Sequence, residues 1–139
     1  MYYDANLIAI IVASLGALVF GGIWYSPKVF GKAYMQLSGK SEGSQAKKDM
    51  KKSMFRGYFI MFLMGLVQAA VLYLLILITQ AGTIGQYMTI AFLVWAGFQF
   101  SGIVVDNTWE GRSPKLIVLH AFHALFANVV MVYLLTLFL

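Results

Sequence analysis

The chain has no cysteine among its 139 residues. That removes disulfides, thiolate metal sites, iron–sulfur clusters and cysteine nucleophiles together. Charge is scarce as well: 11% of residues are charged and 61% are hydrophobic, whereas a soluble domain carries about 25% charged residues. A chain this short cannot hide so much apolar surface in a core of its own, because small globules keep a large surface fraction. Lipid is therefore expected to solvate much of it. Signatures of enzymes are missing too: there is no nucleophile elbow, no phosphate-binding glycine loop followed by lysine and threonine, and no paired His-Glu metal motif. No basic residue precedes the first apolar run, which opens Met1-Tyr2-Tyr3-Asp4. A cleavable signal peptide needs a basic start, so the first run is expected to be retained as a span.

What is present is three long charge-free stretches. Residues 5–27 form the first, long enough at ~1.5 Å per helical residue to cross a hydrocarbon core ~30 Å thick. Residues 57–105 form one long run, too long for one helix and suited to two joined at Gln80-Ala81-Gly82-Thr83-Ile84-Gly85, where two glycines mark a turn. Residues 116–139 form the last, entered through Ser113-Pro114, an N-cap followed by proline at the first helical position. Backbone in lipid must satisfy its own hydrogen bonds, and unbroken apolar runs without alternation argue against a barrel. The expectation is an all-α membrane protein, one domain over residues 1–139, with four transmembrane helices in two antiparallel hairpins. The spans fall at about 5–25, 56–79, 86–106 and 116–138, with a basic loop over 26–55.

In that topology all ten lysines and arginines lie on one side: Lys28, Lys32, Lys40, Lys47, Lys48, Lys51, Lys52 and Arg56 in the first loop, Arg112 and Lys115 in the third. The excess of cations in cytoplasmic loops puts those loops in the cytoplasm and both termini on the other side of an inner or plasma membrane. The net charge of +5 is thus a membrane pattern, and no nucleic-acid partner is expected. Within the first loop, Ser26-Pro27 opens a short helix in which Val29, Phe30, Ala33, Tyr34 and Leu37 recur at helical spacing opposite Lys28, Lys32 and Gln36. That is an amphipathic helix lying in the interface. Lys47, Lys48, Lys51 and Lys52 flank span two and suit contact with anionic lipid headgroups.

The segment Gly22-Ile23-Trp24-Tyr25-Ser26-Pro27-Lys28-Val29-Phe30-Gly31 resembles the signature of the domain of unknown function 1761 family. So do Trp95, Gly97 and Phe98, and then Trp109 through Leu116. The resemblance covers nearly the whole chain. It implies the four-span fold and no particular activity.

Polar groups inside spans are costly and are functional candidates by default. His120 and His123 are three apart, on one face of span four. Asp106 and Gln99 in span three, and Trp24 and Tyr25 at the end of span one, are expected at the same level. Together they describe a polar vestibule facing the basic side, in which Asp106 would favour the His120 imidazolium. Interfacial anchoring is the competing reading of the same residues. Gln68 and Asn128 suit hydrogen bonds between helices. Ala9, Ala13, Ala17 and Gly21 form a small-residue stripe for close helix packing, within the chain or between copies of a homo-oligomer. No metal site and no cofactor are expected: two histidines without cysteines fall short of a zinc set, and neighbouring positions on one helix cannot reach both axial sites of a haem. Two functions follow as expectations. One is an oligomeric channel or transporter for a small solute, cation or proton. The other is a non-transporting protein that binds a lipid or protein partner through its basic loop, with a membrane enzyme a more distant third.

Overall fold

The computed structural model describes residues 2–26, 28–38 and 44–139, with side chains over 7–26, 28–36 and 55–139. The order is α1 (Tyr2–Trp24), α2 (Gly31–Ser38), α3 (Ser44–Ile78), α4 (Ile84–Val94), a π-helical turn (Trp95–Phe100), α5 (Ser101–Trp109) and α6 (Pro114–Thr136). There is no strand among the described residues. Four stretches are long and apolar enough to cross a bilayer: Leu7–Trp24, Phe55–Ile78, Ile84–Trp109 and Pro114–Thr136. The third is α4, the π turn and α5 in line. The protein is a multi-pass membrane protein, with spans close to those expected from the charge-free runs.

The helix ends follow local chemistry. Thr83 caps α4: its hydroxyl accepts the Gln86 N–H, while the Gln86 side chain accepts the backbone N–H of Thr83. This reciprocal pair satisfies two of the N–H groups that a helix start leaves over. Gln80, at φ 54°, takes the left-handed conformation that reverses the chain before it. Ser113 caps α6 by accepting the Leu116 N–H, with Pro114 in the first turn.

Helix α2 begins later than Ser26-Pro27 implies. After α1 the chain folds back tightly, with Phe30 N–H on the Trp24 carbonyl at 3.0 Å and Gly31 N–H on the Ser26 carbonyl at 2.7 Å. A Cβ at position 31 would stand 2.5 Å from the Tyr25 oxygen and 2.6 Å from the Ser26 carbonyl carbon. Only glycine fits against that backbone, so the turn occupies residues 28–30 and α2 starts at Gly31. Beyond it Lys32 and Gln36 are exposed, while Ala33, Tyr34 and Met35 are half-buried.

The core is where α1 meets α3 and α6. Ala9, Ala13 and Ala17 are buried there with Ala69, Leu72, Ile76, Met131 and Val132, and Gly21 is buried one turn further on. Small side chains four apart let the helix axes approach. The approach is close enough that a Cβ on Gly65 would lie 2.5 Å from the Ser14 hydroxyl, which itself donates to the Phe62 carbonyl at 2.8 Å. The third span sits outside this trio. It packs on α6, with α4 also touching α3, and along it Ala91 alone is buried by protein.

Candidate functional site

Trp24 and Tyr25 end α1 where the chain turns into α2. His120 and His123 reach the same place from α6, about 9 and 14 Å along the helix from Pro114. The Tyr25 hydroxyl lies 2.6 Å from Nδ1 of His120, and Tyr34 of α2 presents its ring edge to the same imidazole at a centroid distance of 5.8 Å. His123 is stacked on Phe20 at 5.7 Å with only 9° between the planes. It also packs against Tyr25 at 5.1 Å and Trp24 at 6.1 Å. Gly21 makes room for it: a Cβ there would sit 3.3 Å from His123 Nε2.

The hydrogen bonding of this cluster is incomplete. Trp24 Nε1, His120 Nε2 and His123 Nε2 are buried without a hydrogen-bond partner among the described residues. When the Tyr25 hydroxyl donates to His120 Nδ1, the neutral imidazole carries its proton on Nε2. Buried polar groups are otherwise almost always paired. The Trp24 N–H and the Nε2 atoms of the two histidines are thus left with unused hydrogen-bonding capacity.

The sequence-predicted vestibule divides into two. Trp24, Tyr25, His120 and His123 converge as described. Asp106 does not join them: it is exposed on α5, and the ion pair present among the described residues is Arg112–Glu110, at 2.9 Å. The inward face of the lower third span instead runs Gln99, Ile103, Asn107 at four-residue spacing, all half-buried, and Asp106 lies off that face. His120 therefore has a tyrosine hydroxyl beside it rather than a carboxylate.

Gln99 belongs to a second, deeper group. Asn128, with 0% of its surface exposed, accepts from Gln68 Nε2 at 2.5 Å. Its own amide donates to Gln99 Oε1 and to the Ala91 carbonyl at 3.3 Å. One side chain on α6 thereby ties α3, α4 and the π turn. The indole of Trp95, at the start of that turn, donates to the Ala121 carbonyl of α6 at 2.7 Å. The sequence marked Gln68 and Asn128 as bonding partners between helices, and the structure pairs them.

Phe20, Phe126 and Tyr34 complete the aromatic surround. Of these only Tyr34 carries a signal in the sequence, as part of the amphipathic face of the first loop. The expected headgroup contacts, Lys47, Lys48, Lys51 and Lys52, fall on the first turns of α3, and their side chains lie outside the described residues. Among the described residues no group of three His, Asp or Glu side chains gathers as a metal set would.

No curated protein and no solved structure matches the chain. A family model does, that of a protein of unknown function, DUF1761, over residues 8–136. The match takes in all four spans and every residue of the histidine cluster, and the chain belongs to the DUF1761 family.

Proposed function

We propose that the protein is a small membrane transporter or channel subunit, with Trp24, Tyr25, His120 and His123 forming its proton- and solute-accepting site. The observation that carries this reading is the pair of titratable histidines beside the Tyr25 hydroxyl, with unpartnered ring nitrogens left in the cluster to meet a guest. A proton entering at His120 Nδ1 would turn the hydrogen bond round, the imidazolium then donating to the Tyr25 oxygen. His123, one helical turn deeper, is placed to receive a proton or a polar solute next. Support for the direction of access comes from charge: every Lys and Arg lies in the first or third segment between spans or in the helical turns that flank it, and segments with such an excess of cations face the cytoplasm. Four slender helices enclose little volume, so passage across the membrane requires more than one copy, and a homo-oligomer closed by cyclic symmetry is part of the proposal.

The test is proton flux into liposomes. Purified protein would be reconstituted with an entrapped pH-sensitive dye and a potassium diffusion potential set by valinomycin. Dye acidification well above that of protein-free vesicles is expected, with a loss of about tenfold or more in His123→Ala and His120→Ala, as removal of a positioned proton-transfer group costs. Flux no faster than the lipid leak, or flux indifferent to both substitutions, contradicts the proposal.

A further inference from the structure

A groove of about 250 Å³ runs along the outside of α6 beside the end of α1. Lys115, Val118, Phe122 and Phe126 form one wall, spaced three or four apart on a single helical stripe; Trp24 and Phe30 form the other. The groove opens toward the bilayer, since Val118, Phe122 and Phe126 are all exposed. It is walled by rings that pack on each other: Trp24 lies 4.4 Å from Phe30 and 5.9 Å from Phe126, centroid to centroid. Lys115 is its only charged lining residue, and it makes no ion pair among the described residues. From Lys115 to Phe126 the stripe is ~16 Å long, close to one leaflet of a hydrocarbon core ~30 Å thick.

We infer that this groove seats one acyl chain of an anionic phospholipid from the leaflet on the basic side, its phosphate resting on Lys115. Length, openness and polarity each point to that occupant. The depth is that of one leaflet. The opening is sideways, so the ligand arrives from the bilayer and not from water. The charge stands at the interfacial end alone, where a headgroup sits. A phosphate with a net negative charge is favoured there over a zwitterionic headgroup by the same attraction that draws basic segments to anionic leaflets. This inference uses the outer face of Trp24 and stands whether or not the histidines conduct.

The experiment is native mass spectrometry of protein taken from vesicles of equal phosphatidylcholine and phosphatidylglycerol. One phosphatidylglycerol retained per chain is expected, in about fivefold preference, the contribution of one lysine near an anionic surface. Lys115→Gln should erase the preference, and Lys115→Arg should keep it. Millimolar inorganic phosphate should not displace the bound molecule, which separates a lipid from a free anion. Helicity and melting, followed by circular dichroism, should be unchanged in both variants, because Lys115 is exposed. Equal retention of the two lipids overturns the inference, as does a preference that survives Lys115→Gln. Loss of an oligomer in Lys115→Gln with bound lipid unaltered would assign the groove to a second copy and overturn it too.

Discussion

Asn128 has no water to fall back on. Its carboxamide is fully buried and holds side chains or carbonyls from α3, α4 and the π turn at once. Inter-helix hydrogen bonds in membranes contribute ~0.6 kcal/mol on average and up to ~1.7 each, because the separated helices find other partners. Replacing Asn128 by Leu keeps the heavy-atom count and the branching and removes all three bonds, leaving the Gln68 and Gln99 amides inside the bundle without this partner. A loss of about 1–3 kcal/mol is expected, read from denaturation of the purified protein in mixed micelles. An unchanged stability would mean that the two glutamines reach each other or the bilayer surface unaided. The histidines differ from Asn128 in kind. The amide group is closed, each member satisfied by another, and reads as structure. In the cluster of Trp24, His120 and His123, by contrast, three buried ring nitrogens are left without a partner among the described residues, which is why the proposal places its site there.

Among the elements, the return from α1 into α2 is the most constrained. Gly31 lets the backbone pass within contact of the Tyr25 and Ser26 carbonyl groups, and the fold-back brings Tyr34 onto His120. Gly31→Ala should open this turn, since the obstructing atoms are backbone and cannot rotate away. The chain has no cysteine, so Tyr34→Cys together with His120→Cys makes a pair of unique thiols that a short bifunctional reagent should join. Adding Gly31→Ala should cut the cross-linked fraction several-fold, while equal cross-linking would show that α2 is held by other contacts.

Much of this was legible in the sequence. The four spans follow from where charge is absent and from the glycine-marked turn between spans two and three, and the start of α6 from Ser113-Pro114. The meeting of Trp24 and Tyr25 with His120 and His123 follows from topology, since all four stand at helix ends on the same side. The π turn over Trp95–Phe100 could not be read: widening a helix by one hydrogen-bond register leaves hydropathy and composition as they were. Its six residues include Gly97, exposed with no atom within 4 Å of a Cβ built there. Such turns gather at functional sites, and here the turn positions Trp95 and Gln99 against α6. Asp106 was misplaced because sequence fixes its depth but not its rotation about the helix axis. A carboxylate one turn from the helix end gains more from water than from a buried ring.

For the whole molecule, the third span stands apart. Phe98 is 80% exposed and Trp109 87% exposed, so lipid or another copy solvates most of this span, while α1, α3 and α6 form the interior. The basic loops, the turn that carries α2 and the histidine cluster all gather at one end of that interior. The turn between α3 and α4 lies at the other end and carries no lysine or arginine. Single cysteines at Gly82 and Gly111, introduced one at a time into the cysteine-free chain and probed in intact cells with a membrane-impermeant maleimide, test this arrangement most directly. The account predicts that Gly82→Cys is labelled from outside and that Gly111→Cys is labelled only after the membrane is breached. Labelling of Gly111→Cys in sealed cells, or of both positions alike, would contradict it.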